Sequence, residues 1–122
     1  MTSAKQEFLS ITEGKDVQCA YIEYALDWDN PNKQISLRVG YREDEWEAFL
    51  QKLDFIYDDG YGSQVLFGTI WFTDGTWADR AEYDGSEWWV VRKRPDVPAA
   101  LIADALDQWG ISQSESEENL NP

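Results

Sequence analysis

The chain has 122 residues, with 24 Asp and Glu against 10 Lys and Arg, no His, and a formal charge of −14 at pH 7. A field of that sign repels nucleic acid and anionic membrane and attracts cationic surfaces. Direct DNA binding, which draws on phosphate neutralisation, is therefore excluded, and the expected partner is a basic protein. Hydrophobic residues make up 43% of the chain, with seven Trp, six Tyr and five Phe. Disordered acidic segments are poor in aromatics, so this acidity belongs to a folding body. One domain over residues 1–111 and an acidic, flexible tail over 112–122 suit the length.

Ser3 followed by Gln6 fits a capping box ahead of Phe8, Leu9 and Ile11, which predicts a short first helix that Gly14 could stop. Val17 to Leu26 is rich in β-formers with apolar groups on both faces, as in a covered strand. Asn30, Pro31 and Asn32 form a turn cluster. After it Ile35, Leu37, Val39 and Tyr41 alternate with polar residues, the pattern of a half-buried strand. Glu43, Asp44 and Glu45 suit a helix start, and Trp46, Phe49, Leu50 and Leu53 follow at helical spacing, which predicts a helix over 43–54. The run from Tyr57 to Ser63 reads as an exposed Gly-containing loop. Asp74-Gly75 and Asp84-Gly85 each suit a two-residue type I′ turn, which predicts a three-stranded meander. Beyond Pro95 and Pro98, Leu101, Ile102, Ala105, Leu106 and Trp109 make one helical stripe, expected to pack on the sheet. The order is (α)ββαβββα, an α+β domain. Its antiparallel sheet has about five strands and ends in the meander, with helices gathered largely on one face.

The lone Cys19 has no disulfide partner and, near Val17, Ala20 and Ile22, reads as a small buried hydrophobe. No signal-peptide pattern opens the sequence and no run approaches the roughly 18 apolar residues of a membrane span, so a cytoplasmic protein is expected. Without His, the commonest general base and the Ser-His and Cys-His pairs are missing. A carboxylate pair drawn from Asp79, Glu82 and Glu87 beside Trp77 and Trp88 is formally available. Among so many carboxylates, close pairs also arise by chance, and the reading is non-enzymatic. Asp27-Trp28-Asp29-Asn30 fails as a calcium loop, because its sixth and twelfth positions hold Asn32 and Arg38. Gly60-Tyr61-Gly62 leads to no phosphate cradle. No cofactor or metal is expected.

The acidic residues concentrate between Tyr41 and Gly60, where Glu43, Asp44, Glu45, Glu47, Asp54, Asp58 and Asp59 face only Arg42 and Lys52. Trp46, Trp71, Trp77 and Trp109 fall on helix or sheet stripes and read as core. Consecutive Trp88 and Trp89 must point to opposite faces of a strand, so one of them needs a second covering layer or an exposed site. Exposed Trp beside charge suits an interface anchor. The expected partner-binding set is therefore those seven carboxylates with Tyr57, Tyr61, Trp88 and Trp89. Arg92, Lys93 and Arg94 are expected to pair with neighbouring carboxylates.

The run LFGTIWFTDGTWADRAEYDGSEWW, residues 66–89, resembles the signature of small acidic proteins encoded by phages and prophages. In charge and size the chain is similar to phage inhibitors of host defence, of the anti-CRISPR or anti-restriction type. The resemblance implies a phage or mobile-element origin and no catalytic residue. The expected function is an inhibitor whose carboxylates stand where a nucleic acid presents phosphates, occupying the basic channel of a host defence protein. Two alternatives stand beside it: an immunity or antitoxin protein neutralising one basic toxin, and a structural or housekeeping phage protein whose charge serves solubility.

Overall fold

The computed structural model describes residues 1–25, 32–60 and 62–102. In chain order its elements are β1 (Thr2–Ser3), α1 (Ala4–Thr12), β2 (Val17–Tyr24), β3 (Lys33–Leu37), α2 (Glu43–Lys52), β4 (Ile56–Tyr57), β5 (Leu66–Phe72), β6 (Trp77–Tyr83) and β7 (Ser86–Arg92), then a 3-10 turn, Ala99–Leu101. The fold is α+β. A five-stranded antiparallel sheet runs in the order β3-β2-β5-β6-β7, and β1 pairs with β4 in a small second sheet.

Local chemistry sets both helices. The Ser3 hydroxyl accepts a hydrogen bond from the Gln6 amide at 3.2 Å, capping α1. In α2 the Glu45 carboxylate accepts from the Arg42 amide at 3.0 Å, so the third helical residue reaches back over the helix start. The apolar stripe of α2 turns Phe49, Leu50 and Leu53 into the core. Phe8 of α1 meets Phe49 and Trp46, with ring centres 5.2 and 5.7 Å apart. Helix α2 lies against β3 and α1 against β7, so both cover one face of the sheet.

That face presents Ala20 and Ile22 of β2, Ile35 and Leu37 of β3, Leu66, Ile70 and Phe72 of β5, Ala78 of β6 and Trp89 of β7, all buried. One extra residue between Val17 and Cys19 shifts the β2–β5 register, so Val17 also points inward. Cys19, expected to be buried, lands on the other face opposite Trp71 and is partly exposed.

The two hairpins differ. Asp84 (φ 53°) and Gly85 (φ 90°) both take positive φ between paired Tyr83 and Ser86, as a type I′ turn requires. At the other hairpin Trp71 pairs with Trp77, which leaves Thr73, Asp74 and Gly75 as a three-residue loop. The expected two-residue turn is corrected here. The Asp74 carboxylate accepts from the Thr76 amide at 2.9 Å and from Lys15 at 3.3 Å, and only Gly75 takes positive φ.

Strand β3 stops at Leu37, short of the expected Tyr41, because Val39 and Gly40 turn the chain out. Tyr41 instead stacks on Trp46 with ring centres 5.7 Å apart. The β1–β4 pairing was not anticipated. Of the predicted last helix, only its start is described; Leu101 and Ile102 are exposed, and Ala105, Leu106, Trp109 and the acidic tail lie outside the described residues, as do Asp27 to Asn30. No described helix is long and apolar enough to cross a membrane.

Candidate interaction surface

The carboxylates of α2 divide by role. Glu45 takes a bidentate pair from Arg38, at 2.8 and 3.0 Å, in addition to its helix-start hydrogen bond, so it is a structural group. Asp44 pairs with Arg42 at 3.1 Å. Glu43 and Glu47 are exposed and, among the described residues, form no ion pair; Asp54, beyond the helix end, is the same. The donors around Glu45 hold its carboxyl down at about 2, Arg38 first and the Arg42 amide next. Asp74 is likewise held at about 2, mainly by Thr76.

A lowered folded-state pKa contributes stability above the unfolded value and loses it as pH falls through the folded one. The window therefore runs from about 4.5 for Glu45 and 3.8 for Asp74 down to about 2. Glu45→Gln and Asp74→Asn should each flatten the acid limb of stability against pH across that window, read by thermal unfolding. An acid limb unchanged in both variants would contradict these roles.

Two expected anchors prove to be interior. Tyr57 and Trp89 are buried, because β4 and β7 turn them toward a buried polar cluster built on Arg80. Arg80 Nη2 donates to Glu87 Oε1 at 2.7 Å and to the Tyr57 hydroxyl at 2.8 Å. Its guanidinium lies 5.0 Å from the Trp89 ring centre, and Glu7 of α1 approaches its Nη1 at 3.6 Å. The Tyr57 hydroxyl donates to Glu7. Burial raises the Glu7 pKa, with the charge of nearby Asp59 adding to the rise, while the Tyr57 hydrogen bond and Arg80 oppose it. Desolvation and the Glu7 hydrogen bond raise that of Tyr57.

Glu87, whose side chain is fully buried, also accepts from the amides of Val65 and Leu66 at 2.7 and 3.0 Å. Its own amide donates to the Asp59 carbonyl at 2.8 Å. This stitching brings Asp58 and Asp59 to the start of β7, beside the hairpin that carries Glu82 and Asp84. Asp58, Glu82 and Asp84 are exposed there, and Asp59 is half-buried. Tyr61, the remaining expected anchor, lies outside the described residues. The carboxylate pair considered for hydrolysis is taken apart: Asp79 and Glu87 point to opposite faces of the sheet, and Glu87 is engaged by Arg80.

Trp88 is 42% exposed on the sheet face away from the helices. It stands on β7 while α2 lies against β3, four strand spacings or roughly 19 Å away. The expected site therefore does not gather in one place. Trp88 has neighbours that sequence reasoning missed, because Tyr21, Phe67, Trp71 and Trp77 share its face. Trp71 and Trp77, expected in the core, point away from it: Trp71 is 41% exposed and Trp77 half-buried. The signal was present in β5, where Phe67 and Trp71 alternate with Leu66, Ile70 and Phe72. A strand apolar on both faces, with helices on one, must expose or separately cover the other.

Of the basic cluster expected to pair with carboxylates, Arg92 does so with Asp79 at 3.1 Å on this open face, while Lys93 and Arg94 form no ion pair among the described residues. Among the described residues no group of three or more His, Cys, Asp or Glu is arranged to hold a metal ion. Comparison with family models, with curated proteins and with solved structures finds no match.

Proposed function

We propose that this chain is an inhibitory binding protein that uses its acidic surface to occupy the nucleic-acid-binding channel of a basic protein. The observation that carries the reading is how the positive charge is spent. Five of the ten basic residues, Lys15, Arg38, Arg42, Arg80 and Arg92, pair with carboxylates of the same chain, while Lys5, Lys33, Lys52, Lys93 and Arg94 form no ion pair among the described residues. Glu43, Glu47, Asp54, Asp58, Glu82 and Asp84 stay exposed without an ion pair among the described residues. A channel built to attract phosphates also attracts such an array, with fast association that salt screens. The resemblance of residues 66–89 to phage-encoded proteins favours a host defence protein as the target.

Charge reversal tests this directly once Glu45, which holds the start of α2, is left intact. Glu43→Lys with Glu47→Lys changes two exposed residues that bond to nothing else described. With a tagged chain used to retrieve its partner from host lysate at low salt, the double variant should retain fold and lose partner binding by at least about tenfold. A folded double variant that binds as tightly as the parent would contradict the acidic-surface mechanism.

A further inference from the structure

The sheet face away from the helices carries Tyr21, Phe67, Trp71, Trp77 and Trp88, and among the described residues no helix lies on it. One row crosses four strands: Cys19 of β2 stands beside Trp71 of β5, Trp71 beside Trp77 of β6, and Trp77 beside Arg92 of β7. The charge at this end of the face is settled internally. Asp79 accepts from Thr69 at 3.0 Å, from Trp77 Nε1 at 3.1 Å and from Arg92 Nε at 3.1 Å. What remains is aromatic surface, with Tyr21, Phe67, Trp71 and Trp88 exposed, and exposed apolar surface on that scale marks a place where something docks. The chain carries a second uncovered apolar surface. Leu101 and Ile102, the last two described residues, are exposed, and they open the stripe of Leu101, Ile102, Ala105, Leu106 and Trp109. At helical spacing Asp104 and Asp107 fall on the side opposite that stripe.

We propose that the segment from Leu101 to Trp109 closes over this face of its own chain, laying its apolar stripe across the row of Cys19, Trp71, Trp77 and Arg92. Connection and length select that occupant. Arg92 ends both β7 and the row, so the chain leaves the sheet at the border of the surface to be covered. Residues 101–109 at helical rise extend roughly 14 Å, which matches the three strand spacings from β7 to β2. Residues 93–100 tether the stripe to the sheet, holding it at an effective concentration of about millimolar. A second copy has no such tether and would bring two chains of −14 together. The inference stands apart from the basic-partner reading. It takes the aromatic face out of the surface open to a partner and leaves the exposed carboxylates.

The test is NMR of the full chain at a dilution where it is monomeric, with alkylation of Cys19, its single cysteine, as a second readout. Cross-peaks should join the Leu106 methyl protons to ring protons of Trp71 or Trp77. Leu106→Asp should speed alkylation of Cys19 by at least about tenfold, the scale of losing one buried leucine. Ala103→Asp puts the same charge on the polar side of the segment and should leave the rate unchanged. If Leu106→Asp fails to fold, the cross-peaks of the native chain decide. Their absence there would overturn the proposal, and so would equal alkylation rates in the native chain and a folded Leu106→Asp variant. Cross-peaks that pass only between labelled and unlabelled chains in a mixed sample would give the face to a second copy and overturn it as well.

Discussion

Glu87→Ala should cost the fold about 3–5 kcal/mol, the range for breaking a buried ion pair by removing one partner. The melting temperature should then fall by roughly 10–30 °C for a domain of this size. Three donors lose an acceptor at once: Arg80 Nη2, which keeps only the Tyr57 hydroxyl, and the amides of Val65 and Leu66. The cation left behind is itself buried, with a side chain only 2% exposed. Adding Arg80→Met removes the stranded charge and should recover part of the loss, since an apolar replacement of a buried pair is often tolerated. Recovery stays incomplete because the two loop amides remain unpaired. A Glu87→Ala variant within about 1 kcal/mol of the parent by urea unfolding would contradict this role, being no more than an ordinary substitution costs.

Gly68→Ala should be the other severe change, at about 2–5 kcal/mol from backbone strain and overpacking together. Gly68 sits in the middle of β5 opposite Ile22, with φ at 150°. A methyl group there would collide with the Tyr21 carbonyl oxygen and stand 2.9 Å from the Ile22 Cα, both backbone atoms of a central strand. Neither can rotate away as a side chain could. Gly60→Ala is the control, because its nearest neighbour would be an Asp58 oxygen at 4.0 Å and its φ is ordinary. It should change stability by less than about 0.5 kcal/mol, as surface substitutions usually do. Similar urea midpoints for the two variants would contradict the close approach of β5 to β2.

Much of the fold was legible because local patterns and tertiary packing agree. The spacing of Trp46, Phe49, Leu50 and Leu53 foretold the buried stripe of α2, and Asp84-Gly85 foretold its turn type. The sheet's helix-covered face follows from alternation in β3 and β5. What escaped the sequence is set by distant partners. Glu87, next to a turn and flanked by Ser86 and Trp88, has the local look of a surface carboxylate. Its burial depends on Arg80 across the hairpin and on two amides arriving from residues 65 and 66. Tyr57 looked like a loop aromatic until β4 paired with β1 and turned its ring inward.

The candidate surface was legible in charge and only partly in place. Glu43, Glu47, Asp54 and Asp58 are exposed as expected, and of the Trp88-Trp89 pair, which the sequence left open, Trp88 is the exposed one, while Glu45 is tied up by Arg38 and by the helix start. Glu82 and Asp84 enter because the Asp59 carbonyl bonds to Glu87, a contact invisible to spacing. The register that places Trp71 beside Trp77 depends on a three-residue loop where the Asp-Gly pair suggested two, so the aromatic face emerges only from the folded sheet.

Salt dependence of affinity for the retrieved basic partner tests the central claim most directly. An array of carboxylates standing in for phosphates should lose at least about tenfold in affinity between roughly 50 and 200 mM salt, because the attraction between exposed charges is screened. An affinity that stays flat across that range would contradict the claim that the acidic surface does the binding.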